Sequence, residues 1–455
     1  MNKNISRSGA RIHRRDFLRS TAALTAAAFG APYIMPSSVF GKNSPSNRIT
    51  LAIIGCGNQS TVDIPEWLKN DDCQIVSCCD VNRGSRGYRD DKQFLGREPQ
   101  RDFVNKAYAK KTGNDSFKGC NACIDFRDVL ARKDVDAVAI ITPDHWHAVQ
   151  TIMAAEAGKD IYCQKPLSLT VRDGQEMIKA VRKHNRILQC GSQWRSKAHI
   201  RQACELVLNG RIGKLQRVES YVAENNFKGP GPGWKAEPVP EGFDYNFWLG
   251  PAPQAPYHNL RCFYKFRFIL DYSGGQTTNF GHHSNGVVRW GIGDDIFPVE
   301  FEDAGSEWPE KGDLFTTPTK VSFRAKFPNG VELFCHTNKP GFGVRFEGSE
   351  GSLEIGSSKF ECKPASLKDS VLGTNDKRLA VSENHYRNFL DAVKSRKDGV
   401  EPVEVAHRTS MLCHLGNIAM LLKRKFKFDP QTEQIVGDDE ANKMLSRPLR
   451  APWHY

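Results

Sequence analysis

A chain of 455 residues, 39% hydrophobic and 25% charged, is long enough for two domains with sizeable cores and has the balance of a soluble globular protein. The formal charge of +12 is concentrated at the N-terminus, where seven Lys or Arg up to Lys42 stand against a single acid, Asp16. No dense basic stripe interleaved with aromatics suggests a nucleic-acid surface, and thirteen irregularly spaced cysteines are not a disulfide scaffold.

Arg14-Arg15-Asp16-Phe17-Leu18-Arg19 precedes residues 21–29, a modest apolar run too short and alanine-rich for a comfortable membrane span. A paired arginine followed by Asp-Phe-Leu resembles a twin-arginine export signal, and residues 35–46, rich in Pro, Ser and Gly, read as a linker. Residues 1–46 are thus assigned to signal and linker. This implies a periplasmic or extracytoplasmic location and the twin-arginine translocase as a partner. That route moves folded proteins, so a cytoplasmic cofactor is expected to bind tightly and travel with the chain.

The run Ile49-Thr50-Leu51-Ala52-Ile53-Ile54 is apolar and β-branched, and it ends in Gly55-Cys56-Gly57-Asn58-Gln59-Ser60 before a helix-compatible segment, 62–68. The order predicts a buried strand, a tight turn and a helix N-terminus, whose unpaired N–H groups and positive dipole end suit a phosphate. Gly55 permits the turn and Gly57 lets the backbone approach a pyrophosphate, while Ser60 stands where the usual third glycine falls. A second apolar run, 74–79, ends in Asp80, 25 residues after Gly55. A dinucleotide fold places an acid there for the ribose hydroxyls. Asp80 favours NAD by repelling a 2′-phosphate, and Arg83 leaves NADP open.

Helices are predicted over 103–111 and 125–130. A strand over 136–141 ends at Thr142-Pro143-Asp144-His145-Trp146-His147, followed by a helix over 148–157 that Gly158 closes. A strand over 160–163 ends at Gln164-Lys165-Pro166, and a helix over 171–184 leads to a strand over 187–190. Strands alternating with helices at this spacing predict an α/β fold: a doubly wound parallel sheet, the Rossmann arrangement for NAD(P), over 47–192. Ligands sit off the carboxyl ends of such strands, where Gly55, Asp80, residues 142–147 and Lys165 all fall.

From 193 the texture changes. A helix over 198–209 and alternating runs at 215–223, 320–327, 331–337, 343–347 and 352–355 predict an α+β domain over 193–455 with a large, mostly antiparallel sheet. Two helices, 383–396 and 405–424, follow and could pack back on the first domain. The aromatic insert 227–272, with Trp234, Trp248, Tyr257 and Tyr264, suits either sugar faces near a cofactor or a large interdomain core. Cys78, Cys79, Cys163 and Cys190 read as buried thiols. Cys120-Asn121-Ala122-Cys123 has metal or redox spacing without a second pair. His145, His147, His282 and His283 invite a metal reading, but no cysteine or carboxylate completes it at recognisable spacing, and no metal is expected.

In order and spacing, Gly55-Cys56-Gly57-Asn58, Asp80, residues 142–147, Cys163-Gln164-Lys165-Pro166 and Gly274-Gly275 through Trp290 resemble the glucose–fructose oxidoreductase/inositol dehydrogenase (Gfo/Idh/MocA) family. Phe247-Trp248-Leu249-Gly250-Pro251 and His385-Tyr386-Arg387-Asn388-Phe389 resemble its exported, sugar-directed branch. The resemblance runs from Arg48 to the C-terminus. It implies a nicotinamide enzyme acting on a sugar or polyol hydroxyl. Gly55, Gly57, Asn58, Gln59, Asp80, Thr142, Pro143, His145, His147 and Lys165 would meet the cofactor, and Trp146, Lys165, Asn279 and His283 the substrate. The family's Glu-Lys-Pro maps to Gln164-Lys165-Pro166, so Lys165 is the implied proton-handling or substrate-orienting residue, with a pKa lowered by desolvation. The family's Asp and the His four residues on map to Asn279 and His283, which share a helix face. His283 is then the candidate general base, and Asn279 can hydrogen-bond but cannot raise its basicity as Asp would. A homo-oligomer, dimer or tetramer, is also implied. The alternatives are an NAD-dependent glycosidase working by transient oxidation and elimination, and a non-catalytic sugar-binding relative.

Overall fold

The structure, a computed structural model, describes residues 48–455 apart from Asp91, so the twin-arginine segment and linker lie outside the described residues. The chain enters on β1 (Ile49–Ile54), every residue of which is buried except Thr50. α1 (Ser60–Leu68), β2 (Cys73–Cys79), α2 (Arg97–Thr112), β3 (Asn121–Cys123), α3 (Phe126–Ala131) and β4 (Ala137–Ile140) follow. Next come α4 (Asp144–Glu156), β5 (Asp160–Cys163), α5 (Val171–Lys183) and β6 (Leu188–Cys190). The strands pair in parallel in the order β3-β2-β1-β4-β5-β6. The order reverses between β1 and β4, which opens a crevice at the carboxyl ends of those strands.

Local chemistry sets the boundaries. Asp125 caps α3 by accepting from the Arg127 N–H, and Thr170 with Asp173 forms a capping box on α5. α4 begins four residues earlier than the sequence pattern suggests, because Pro143, at φ −60°, is pre-set for a helix start and Asp144 complements the dipole. Asp144, His145, Trp146 and His147 therefore form a helical first turn whose rings point in fixed directions.

The second half begins with α6 (Ala198–Leu208) and β7 (Leu215–Tyr221), then the aromatic insert with a short α7 (Tyr245–Leu249), then α8 (Gln276–Asn279) and α9 (Gly281–Ile292). β8 (Glu300–Asp303), β9 (Ser322–Lys326), β10 (Glu332–His336), β11 (Gly343–Gly348), β12 (Ser352–Gly356) and β13 (Phe360–Lys363) build most of a nine-stranded sheet. α10 (His385–Ser395), α11 (Val403–Leu422), β14 (Phe426–Asp429), β15 (Gln434–Ile435) and α12 (Asp439–Lys443) complete the chain. The sheet is antiparallel except for the parallel pair β7–β10, which the long excursion through the insert and α9 makes reachable. α6, α9 and α11 cover one face around Val287, Phe323, Leu333, Phe346 and Leu415.

α10 and the start of α11 pack on the first sheet, contributing Phe389 and Leu390 to one side of its core and Val403 and Ala406 to the other. Of the two roles open to the insert, the structure gives it a core: Tyr245, Trp248, Tyr257, Phe268 and Tyr272 are buried together. Tyr264 and Phe266 also reach the crevice. Among the described residues, no helix is long and apolar enough to cross a membrane.

Candidate active site

Gly55 leaves β1 at φ +102°, and a Cβ there would stand 2.5 Å from the Ile141 carbonyl carbon and 2.7 Å from the Thr142 nitrogen. Glycine is required by the backbone conformation and by the close pass of the β4 exit. A Cβ on Gly57 would lie 2.8 Å from the Tyr88 ring. Ser60 substitutes for the third glycine by a different device: its buried hydroxyl donates to the Gly57 carbonyl at 2.7 Å and closes the turn from inside. Asn58 donates to Gln93 Oε1 (3.0 Å) and Gln59 to Asp63 Oδ1 (2.9 Å). The two oxygens of Asp80 accept the Cys56 N–H (2.6 Å) and the Asn82 N–H (2.8 Å). Burial raises the Asp80 carboxyl above its ordinary value, and those two N–H groups oppose the rise.

From this turn a cleft runs past Asp80, Thr142, Pro143 and Trp146 to Lys165 and Asn279. Lys165 Nζ donates to the Asn279 carbonyl (3.0 Å) and to its Oδ1 (2.9 Å). Burial, assisted by the nearby Arg267 cation, pushes the amine down to about 8, against the opposing pull of Asp144. Asn279 is itself held, its Nδ2 donating to Gln276 Oε1 at 3.0 Å. The helical path is irregular between α8 and α9. The His283 N–H turns to the Phe280 carbonyl (3.1 Å), and the Asn279 carbonyl takes the lysine.

None of the four histidines of the sequence reading lines the cleft. His283 stacks on Trp194, with centroids 5.6 Å apart and planes at 26°, and its Nδ1 lies 3.5 Å from Ser192 Oγ. Burial and the Lys165 charge push its pKa well below the ordinary value, so the ring is neutral at neutral pH. His145 turns its Nε2 to the Trp248 carbonyl at 2.9 Å, and burial lowers it to about 3. His147 places Nδ1 2.7 Å from the Pro166 carbonyl and Nε2 3.0 Å from the Thr142 carbonyl. Two carbonyls are satisfied only if both nitrogens carry protons. Burial opposes that charge, but Cys163, Asp144 and the Pro166 carbonyl raise the ring to about 9. His145 and His147 thus fix the backbone that lines the cleft, His147 by joining the β4 and β5 exits.

The match to known sequences decides the lineage. Residues 49–192 match the profile described as "Oxidoreductase family, NAD-binding Rossmann fold", and residues 198–455 match its companion, the C-terminal alpha/beta domain. The chain belongs to the Gfo/Idh/MocA oxidoreductase family. Over 284 residues it is 36% identical to 1,5-anhydro-D-fructose reductase of Ensifer adhaerens, covering 61% of this chain and 80% of that one. Over 181 residues it is 26% identical to a glycosyl hydrolase family 109 protein of Shewanella baltica, covering 37% and 36%. For the first two curated relatives the chain spans 63% and 31% of their length. The fold matches the WlbA dehydrogenase of Bordetella pertussis, solved with NADH and UDP-GlcNAcA, at a TM-score of 0.57 and 16% identity over 84% of this chain and 99% of that one.

Two residues at or beside this cleft escaped the sequence reading. Arg267 lines the cleft with its guanidinium 3.9 Å from the Tyr264 ring centroid and 5.0 Å from that of Phe266, and burial lowers its pKa. Asp63, wholly buried on α1, accepts from Gln59, from Gln164 Nε2 (2.7 Å) and from Tyr386 OH (2.8 Å). It ties the dinucleotide turn to the residue before Lys165. An arginine between two phenylalanines and an acid inside a helix carry no local mark of either role.

Proposed function

We propose that the protein is an exported, NAD-dependent oxidoreductase acting on a CH–OH group of a sugar or polyol. The observation that carries this reading is the Lys165 amine, lowered to about 8 and held on Asn279 at the far end of a cleft whose near end is the Gly55–Gly57 turn. The residues fit a nicotinamide dinucleotide: the glycine turn offers backbone without side chains, and Asp80 stands where ribose hydroxyls would be read. Asp80 repels a 2′-phosphate, and Arg83, the cation that could receive one, is paired with Glu98 at 3.1 Å. Both features support NAD over NADP. When bound, the nicotinamide supplies the two-electron acceptor for the carbon-bound hydrogen.

Lys165 directs one N–H to each Asn279 oxygen and keeps its remaining position for the substrate hydroxyl, whose proton it takes in oxidation and returns in reduction. Asn279 orients the amine without charging it. His283, neutral, is the second candidate base, but the break between α8 and α9 takes it off the helix face expected to be shared with Asn279 and stacks it on Trp194. Trp146 and the cleft-lining aromatics of the insert offer apolar faces to a sugar ring. The paired Arg14-Arg15 supports export, with a tightly held cofactor. The family likeness supports a homo-oligomer, dimer or tetramer.

The test is the absorbance spectrum of freshly purified, undialysed protein before and after a panel of sugars. A reduced-nicotinamide band that rises or falls with one sugar is the expected result. Protein from which denaturation releases no nicotinamide would overturn the reading. The glycosyl hydrolase family 109 relative supports a second reading, a redox-assisted glycosidase. Cleavage of an aryl glycoside with no net change in that band would select it.

A further inference from the structure

Behind Lys165 the fold gathers three donors that lie far apart in sequence. Cys190 closes β6, His282 lies in the first turn of α9, and Glu401 stands two residues before α11. The donor atoms of the three all lie within 4.8 Å of one another, and each residue is completely buried. No hydrogen bond of good geometry satisfies either ring nitrogen of His282 or either carboxylate oxygen of Glu401, although the Ala406 backbone lies beside the ring and the Ser192 side chain beside the carboxylate. Buried polar atoms are otherwise almost always paired. The arrangement is also braced, since the Cys190 N–H donates to the Glu401 carbonyl at 3.0 Å.

The neighbouring cation Arg195 bonds to Asp294 and also lies in ion-pair range of the Glu401 carboxylate. Arg195 directs both terminal nitrogens to Asp294, at 2.8 and 3.0 Å, and its Nε stands 3.4 Å from Glu401 Oε2 without making a hydrogen bond.

We infer that Cys190 Sγ, His282 and Glu401 form a buried binding site for a zinc-class divalent cation. One thiolate, one imidazole and one carboxylate are a borderline-soft donor set, and three protein ligands leave a fourth position for water. Binding forms the metal–sulfur bond as the Cys190 thiol proton leaves to solvent. The ion would pin β6, α9 and the approach to α11 together, beside the active cleft and independent of the cofactor.

The experiment uses the untagged full chain. Elemental analysis after desalting is expected to find about one zinc per chain, falling at least about tenfold in Cys190→Ser and His282→Ala. Protein grown without zinc and given Co²⁺ is expected to show thiolate-to-cobalt charge transfer and visible d–d absorption, lost in Cys190→Ser. If a variant fails to fold, the Co²⁺ spectrum of the unaltered protein still decides. Neither metal content nor a Co²⁺ spectrum in the unaltered chain would overturn the proposal and leave a purely hydrogen-bonding cluster. Because no readout depends on turnover, failure here is distinguishable from failure of the oxidoreductase reading.

Discussion

An amine at about 8 beside two oxygens of one asparagine makes the rate depend on pH in a stated direction. Below that value Lys165 is an ammonium and cannot take a proton, and above it the amine is free to act. For oxidation, kcat/KM is expected to rise through about pH 8 and then level, and Lys165→Arg is expected to remove that limb. Lys165→Ala should lower kcat by about 10²–10⁴-fold while the nicotinamide released on denaturation stays unchanged, since Lys165 lies beyond the glycine turn. Asn279→Asp sharpens the test. A carboxylate within hydrogen-bond reach favours the ammonium, so the limb should move up by about one unit or more. A pH profile that stays in place in Asn279→Asp would remove Lys165 from the proton path. His283→Ala divides the two candidate bases: a comparable loss of kcat with the limb retained would assign a second proton step to His283.

At the scale of elements, what was legible in the sequence was what is local. The Gly55–Gly57 turn and Asp80 follow from adjacent strands and one tight connection, and both lie on the cleft. The histidines were less legible, because the start of α4 is set by Pro143 and the ring directions by partners far along the chain. His145 faces a carbonyl 103 positions away, and no spacing rule contains that. Remoteness in sequence likewise hid Asp63 from Tyr386, and Cys190 from His282 and Glu401. The turn gives the element-scale prediction. Gly55→Ala must place a Cβ within 2.7 Å of the β4 exit at φ +102°, which costs about 1–3 kcal/mol in backbone strain alone. The variant is expected to unfold at lower temperature in a thermal melt and to lose bound nicotinamide. Unchanged melting and cofactor content would mean that β4 retreats without effect on the crevice.

Among the described residues, the first sheet and the late helix α10 are interlocked beside the site rather than merely adjacent. Trp67 on α1, Tyr162 on β5 and Tyr386 and Phe389 on α10 meet edge to face or stacked, with centroids between 4.9 and 5.8 Å. The Tyr386 hydroxyl continues from that cluster to Asp63, 323 positions earlier. Burial raises the Asp63 carboxyl from its ordinary 3.8 to about 6, although Gln59, Tyr386 and Gln164 all donate to it and act the other way. A carboxyl whose folded pKa is raised gives stability that is present below the unfolded value and is lost as pH rises through the folded one. The fold is therefore expected to lose stability between about pH 4 and 6 from this group, and the tyrosine bond limits the loss because it favours the charged form. Tyr386→Phe removes a donor to a buried carboxylate, a change of about 1–3 kcal/mol. Its cost should be larger at pH 7, where Asp63 is ionised, than at pH 4, where it is protonated. Denaturant midpoints of both proteins at the two pH values measure the difference. An equal loss at both would show that Tyr386 holds α10 on α1 by ring packing alone.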